Sequence, residues 1–276
     1  MLKDHDLDAT GGAVVVAPWW WRRGGGAVPI ACWNSSVPSA KRADSSNRQH
    51  MNGGASMKVE IWSDVVCPWC YVGKRNFEAA LAQFEHADQV TVEWRSFELD
   101  PTTPARVELT MDQVLERKYG MSPEQAVAAN RQMTDLAATV GLDYHLDQVQ
   151  IGNTFDAHRM IHLANHEGVG DAMKERLLAA YFTEGRAISD PATLAELAAD
   201  VGLDRTRAVE VLAGDEYGDE VRADEARAVE LDCTGVPFFV IDERFAIPGA
   251  QPPDVMLRLL ERVWDTSDEA AVAGPT

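Results

Sequence analysis

Cys67-Pro68-Trp69-Cys70 stands between two runs of opposite hydrophobic period, and this constrains the fold more than any other stretch of the chain. Ahead of it, Met57-Lys58-Val59-Glu60-Ile61-Trp62-Ser63 reads as an apolar strand; behind it, Phe77, Leu81 and Phe84 recur at helical spacing. Strand, Cys-x-x-Cys, then helix is the layout of a thiol–disulfide redox centre. Cys67 falls at the predicted helix N-terminus, where unpaired N–H groups and the helix dipole favour a thiolate, the reactive form of cysteine. Pro68 suits the first helical position, where a missing N–H costs nothing. Cys70 lies one turn further on, close enough to form a small disulfide ring.

Two other uses of such a pair are weaker. Half of a zinc site needs two further ligands, and the only other cysteines, Cys32 and Cys233, are isolated. Two inert buried cysteines would not require this strand–turn–helix setting. His158, His162 and His166 share one helical stripe at i, i+4 and i+8, a spacing that can hold zinc. A helix face packed against the rest of the fold is the preferred reading, so no metal is expected. No Gly-rich dinucleotide fingerprint follows a strand, so no tightly bound nicotinamide or flavin is expected.

The balance of 46% apolar and 25% charged residues is that of a globular domain, and the net charge of −19 disfavours nucleic acid and anionic membranes as partners. No apolar run reaches the length of a membrane span. Residues 1–56 read as a disordered extension, with Trp19-Trp20-Trp21, Gly24-Gly25-Gly26 and no persistent period, and Met57 as the expected functional start. An export signal is disfavoured there, because the apolar stretch from Ala13 is preceded by Asp4, Asp6 and Asp8 and broken by Pro18, Arg22 and Arg23.

Val90 to Phe97 alternates with period two and reads as a second strand, making a βαβ unit with the first. Beyond Pro104 the pattern is helical for over a hundred residues. Ser122-Pro123-Glu124-Gln125 is a capping box, and Asn153-Thr154, Asp190-Pro191 and Asp204 each open a helix. A charged helix runs from about Tyr217 to Leu231. Val236 to Ile241 and Arg244 to Ile247 then pair as a hairpin around Asp242-Glu243, and a last helix starts at Pro252-Pro253-Asp254. The predicted class is α/β: a thioredoxin fold with a large inserted α-helical domain. Residues 57–103 and 215–265 build the thioredoxin-like part, 104–214 the insertion, and 266–276 a disordered tail.

Four segments occur in order: Cys67-Pro68-Trp69-Cys70, Asn153-Thr154-x-x-Ala157-His158-Arg159, Gly235-Val236-Pro237-Phe238-Phe239-Val240 and Gly249-Ala250-Gln251-Pro252. Together they resemble the DsbA family of thioredoxin-fold oxidoreductases, in particular its FrnE-like subgroup, over nearly all of residues 57–265. The resemblance implies that Cys67 forms a mixed disulfide with substrate and Cys70 resolves it. It implies a cis bond before Pro237, with the Val236 backbone beside the disulfide and available to a substrate chain. It places His158 opposite the redox site from the inserted domain, with Phe155 lining the same groove. Strongly oxidising members carry histidine where this chain has Trp69, which implies a less oxidising couple suited to a reducing cytoplasm. Many thioredoxin-fold enzymes also bury a proton-relaying carboxylate six residues before the first cysteine. Ile61 stands there, leaving Glu60 or Asp64 as substitutes and the proton acceptor open.

The expected activity is that of a cytoplasmic dithiol–disulfide oxidoreductase acting on thiol- or disulfide-bearing proteins or small molecules, without a bound cofactor, glutathione being the candidate co-substrate. Its rivals are a glutathione-linked isomerase of aromatic or polyketide-type molecules, like 2-hydroxychromene-2-carboxylate isomerase, and a non-catalytic module that binds unfolded clients. Cys70 argues against the isomerase, whose relatives usually carry a single serine or cysteine in place of the pair.

Overall fold

The computed structural model of the protein describes residues 56–272. The extension expected over 1–56, Cys32 included, lies outside the described residues up to position 55. Strand β1 (Met57–Ser63) is central in a four-stranded sheet of order β2-β1-β3-β4. It pairs in parallel with β2 (Val90–Ser96), Ile61 facing Trp94, and antiparallel with β3 (Phe238–Ile241), Ile61 facing Phe239. Helices cover both faces of the sheet here, so β1 is buried almost throughout, Lys58 being partly exposed. β3 turns into β4 (Phe245–Pro248) through Asp242, Glu243 and Arg244, the first two at positive φ in a tight turn that the Arg244 N–H closes on the Ile241 carbonyl at 3.0 Å. The Asp242 carboxylate accepts from the Lys58 N–H at 2.8 Å, tying this turn to β1.

Helix α1 (Pro68–Leu81) makes the crossover from β1 to β2 and buries Tyr71, Val72, Phe77 and Ala80. Between β2 and β3 lie α2 (Met111–Tyr119), α3 (Pro123–Thr139), α4 (Phe155–His166), α5 (Gly170–Phe182), α6 (Pro191–Asp200), α7 (Arg205–Ala213) and α8 (Gly218–Glu230), and α9 (Pro253–Val272) follows β4. α1 and α9 lie together over the Val59–Ile61 face of β1, while Trp62, Phe238 and Val240 point into a second core with Ala228 of α8. The Trp62 indole donates to the Asp224 carbonyl at 2.9 Å, fixing α8 on that face. No helix among the described residues is long and apolar enough to cross a membrane.

Side-chain caps open α2, α3, α6 and α7, from Thr110, Ser122, Asp190 and Asp204. α2 has its own capping box, Thr110 with Gln113, which the sequence reading left inside an undivided helical stretch. The last helix runs to Val272, past the tail expected from 266, because no Gly or Pro interrupts the chain until Gly274-Pro275. The helical block meets the Cys67 end of the sheet through α5. Tyr71 and Arg75 of α1 reach Glu175, Lys74 pairs with Asp171 and Glu175, and the Trp94 indole donates to Asp171 at 3.0 Å. A βαβ start, a helical block, and an α8-β3-β4-α9 close give the expected DsbA-like thioredoxin fold.

Candidate active site

Cys67 is the N-cap of α1, with extended backbone (φ −89°, ψ 112°), and Pro68 takes the first helical position. Its Sγ donates to the Val236 carbonyl at 3.5 Å, and the Val236–Pro237 peptide is cis. The Cys70 N–H donates to the Cys67 carbonyl at 3.0 Å, so Cys70 lies one turn behind. Cys67, Cys70, Pro68, Val236 and Pro237 are therefore one constellation, joined from two ends of the chain. α1 also fixes the Pro237 loop: Asn76 donates to the Gln251 carbonyl at 2.9 Å, and the Gly249 N–H donates to the Pro237 carbonyl at 2.8 Å. A Cβ on Gly73 would stand 2.8 Å from Pro237 Cγ, closer than carbon atoms pack. Gly73→Ala is expected to destabilise the protein by about 1–3 kcal/mol through this overlap with a rigid ring. Chemical denaturation alongside the rate of Cys67 alkylation measures both the cost and the displacement of the loop.

Cys67 is only 4% exposed and Cys70 is deeper. Burial pushes the Cys67 thiol well above its usual range, and the neighbouring Cys70 sulfur and the Asp64 carboxylate add to this. Burial also opposes ionisation of Cys70, but the Cys67 thiol, the Lys174 charge, the Ser63 hydroxyl and the Asp64 backbone together hold it below its ordinary value. Of the two sulfurs, Cys70 is therefore the one whose ionisation this closed arrangement favours. The helix terminus favours a thiolate on Cys67, as the sequence predicts, but desolvation outweighs the dipole there.

Of the two carboxylates that the sequence left as substitutes, Asp64, three residues before Cys67 rather than six, is the one that lies against the motif. It is 1% exposed and accepts from the Val65 N–H at 2.7 Å and the Leu99 N–H at 2.8 Å. Burial raises its pKa, but His158 and the Leu99 N–H outweigh this and leave it lowered overall. Glu60, the other substitute, points to the opposite face and pairs with Arg95 at 2.6 Å.

His158 is fully buried on α4, and its Nε2 lies 3.3 Å from Asp64 Oδ1, so it meets the carboxylate beneath the motif rather than the Cys67 sulfur. Its Nδ1 has no hydrogen-bond partner among the described residues. His162 reaches Asp224 at 3.1 Å and Ser96 at 3.0 Å, while His166 faces solvent, so the stripe diverges to three surroundings. Among the described residues no cluster of His, Cys, Asp and Glu is arranged to hold a metal. Phe155 lies elsewhere than the expected groove. Arg222 covers its ring at 4.4 Å, and it lines a cavity with Arg159, Tyr217 and Gly218 that includes neither Cys67 nor Pro237. Asn153 explains this displacement: its side-chain oxygen accepts from the Phe155 N–H at 2.9 Å, committing Phe155 to the first turn of α4. Trp69 is half-buried within the motif. Cys233 donates to the Gly235 carbonyl at 3.4 Å, and burial pushes its thiol up to about 11.

Two groups near the sulfurs were missed by the sequence reading. The Tyr144 hydroxyl donates to the Pro68 carbonyl at 2.7 Å, its ring stacked against Phe182 at 4.6 Å. Lys174 of α5 is fully buried, its Nζ donating to the Ser63 carbonyl at 3.1 Å and lying 5.5 Å from the centre of the Trp94 ring. Burial drives its ammonium down to about 8, against the pull of Cys70, Asp64 and Cys67 and with the push of Lys74. The available signal was position: Lys174 occupies the apolar stripe of α5 with Leu177, Leu178 and Tyr181.

The DSBA-like thioredoxin domain family matches residues 58–261. The chain is 30% identical over 202 residues to the uncharacterized protein YwbO of Bacillus subtilis (strain 168), spanning 72% of this chain and 94% of that protein. Among solved structures it is similar to the probable DsbA oxidoreductase SCO1869 from Streptomyces coelicolor, at 45% identity and a TM-score of 0.73 over 76% of this chain and 90% of that one. The cytosolic disulfide reductase DsbM from Pseudomonas aeruginosa, solved with GSH, shares the fold at 19% identity and a TM-score of 0.55, over 75% and 99% of the two chains. With the family's domain matched from the second residue of β1 into α9, the chain belongs to the DSBA-like thioredoxin domain family.

Proposed function

We propose that this protein is a dithiol–disulfide oxidoreductase in which Cys67 exchanges with substrate sulfur and Cys70 resolves the mixed disulfide. The observation that carries this reading is the Cys67 Sγ at the N-cap of α1, against the Val236 carbonyl beside cis-Pro237, with Cys70 one turn behind. A substrate disulfide placed along Val236 meets the Cys67 sulfur end-on. As it arrives, the Cys67 proton passes to the Cys70 thiolate. The Cys67 thiolate then attacks one substrate sulfur, and the other leaves as a thiolate. Cys70 gives its proton to that leaving thiolate and attacks Cys67. The second substrate sulfur is released, and the two electrons of the dithiol now reside in the substrate thiols. The reverse sequence oxidises a substrate dithiol.

The substrates of this reading are thiols and disulfides, in proteins or small molecules, with glutathione as exchange partner and no bound cofactor; the GSH in the DsbM structure and the oxidoreductase description of SCO1869 support it. Trp69, which carries no cationic state to stabilise a thiolate, fits a couple poised for a reducing compartment such as the cytoplasm. The test is equilibration in glutathione buffers of graded poise, with acid quenching and mass-spectrometric counting of free thiols. A reversible two-electron Cys67–Cys70 couple is expected, roughly between −270 and −120 mV, the span of thioredoxin-fold enzymes. If no intramolecular disulfide forms at any poise, dithiol exchange is excluded and the single-thiol, glutathione-linked isomerase becomes the better account.

A further inference from the structure

Lys174 is a cation with no visible anion. It is 0% exposed, yet forms no ion pair with a carboxylate among the described residues; its contacts are the Ser63 carbonyl and the face of Trp94. Lys74, one helix away, shows the ordinary solution, with Glu78, Asp171 and Glu175 around a single ammonium. A wholly buried lysine is rare unless paired, because desolvating an ammonium costs several kcal/mol. Asp64 contributes only at longer range, its oxygens being occupied by Val65, Leu99 and His158.

The groups facing Lys174 are Cys70, Asp64, Cys67 and Lys74. Of the two sulfurs, Cys70 is the one that the Lys174 charge draws toward the thiolate. Ser63 makes the connection: its carbonyl holds the Lys174 Nζ, while its buried hydroxyl, which has no partner of ordinary hydrogen-bond length, favours the Cys70 thiolate.

We propose that Lys174, carried under the motif by α5 of the helical block, is a positioning residue whose ammonium is the counter-charge of the Cys70 thiolate in the resolving step. This rests on the dithiol reading for its role in turnover, though not for its effect on Cys70 ionisation. In the resolving step Cys70 has passed its proton to the leaving substrate thiolate, and its negative charge must persist in a buried site until the S–S bond to Cys67 forms. The Lys174 ammonium holds that charge. When Cys70 becomes a disulfide sulfur, the charge leaves with the released substrate thiolate and Lys174 is again unpaired. The reduced form is thereby favoured over the oxidised form. The helical block thus supplies electrostatics to the redox centre as well as a covering surface. Because burial brings the Lys174 pKa to about 8, its support for the thiolate fades as pH rises through that value.

The test separates ionisation from turnover by using the full chain with Cys67→Ala, so that Cys70 titrates alone at the motif. Thiolate absorbance near 240 nm is followed against pH, with Cys32→Ala and Cys233→Ala added to remove the other two thiols of the chain. Adding Lys174→Gln, which keeps a donor for the Ser63 carbonyl but loses the charge, is expected to raise the Cys70 midpoint by about one pH unit or more. Lys174→Arg is expected to restore most of the lower midpoint. In the protein with both cysteines, Lys174→Gln is expected to accumulate roughly tenfold more Cys67–glutathione adduct, the loss of thiolate that one pH unit implies. Should Lys174→Gln not unfold cooperatively, Lys174→Met carries the same titration. A Cys70 midpoint unmoved in a cooperatively folded charge-removing variant overturns the proposal. A moved midpoint without any Cys67–Cys70 disulfide leaves the counter-charge standing and removes only the dithiol reading.

Discussion

Cys67→Ser is expected to lower disulfide exchange with a glutathione-linked substrate by on the order of a thousandfold or more, while leaving cooperative unfolding intact. A hydroxyl at the N-cap of α1 satisfies the helix as well as a thiol does, but it is not ionised near neutral pH and forms no mixed disulfide. Cys70→Ala is expected to act differently. Its Cys67 still attacks, so the protein collects as a stable adduct carrying one glutathione, visible in the intact mass and released by a small dithiol. The contrast between the two variants assigns the roles. Equal loss in both, with no adduct on either, would show that Cys67 is not the attacking sulfur. Isomerase turnover surviving Cys70→Ala and requiring glutathione would move the protein into the other chemical class.

Asp64→Leu is expected to cost roughly 3–5 kcal/mol of stability. The carboxylate accepts from the Val65 and Leu99 N–H groups and meets His158, all buried. An apolar side chain of similar size leaves three buried polar groups without a partner. Asp64→Asn retains an acceptor and is expected to cost less. The pH dependence has a definite sign. The native pKa of Asp64 lies below its unfolded value of about 3.9, so the unfolded chain takes up a proton first on acidification. The stabilisation is present above that value and is lost as the pH falls through the native pKa. Urea unfolding between pH 3 and pH 7 is expected to show a shallower acid slope for Asp64→Asn than for the parent protein. Parallel slopes would mean that Asp64 is not ionised in the folded state.

These groups divide according to how far their causes lie along the chain. Pro68 after Cys67, Ser122 with Gln125, Asp190 before Pro191 and the Asp242-Glu243 turn each act within four residues, and each was readable as a local device. The same reasoning missed the separate start of α2 and stopped α9 too early. In the first case Thr110 and Gln113 formed an overlooked box; in the second a polar tail was mistaken for the end of a helix that nothing breaks. The meeting of Cys67, Cys70, Val236 and Pro237 was legible because short motifs carry them. The placement of Phe155 and His158 was not. A helical stripe states which residues share a face but not what covers it: α4 turns His158 onto Asp64 and His162 onto Asp224 and Ser96, while Asn153 holds Phe155 in the first turn, under Arg222.

By itself the sequence determined a strand, a pair of cysteines at a helix start, a βαβ opening, a helical block and a closing hairpin with its helix. Hydrophobic period, capping chemistry and proline are properties of neighbouring residues, so they survive without knowledge of the fold. Only the tertiary structure decided which sulfur the surroundings favour as thiolate, and which charged groups face it. Lys174 lies 111 residues from Ser63 and His158 lies 94 from Asp64, yet α4 and α5 bring both into one dry layer beneath Cys70. Charge energies depend on distance and on the exclusion of water, and both arise from packing helices against the sheet rather than from any spacing along the chain.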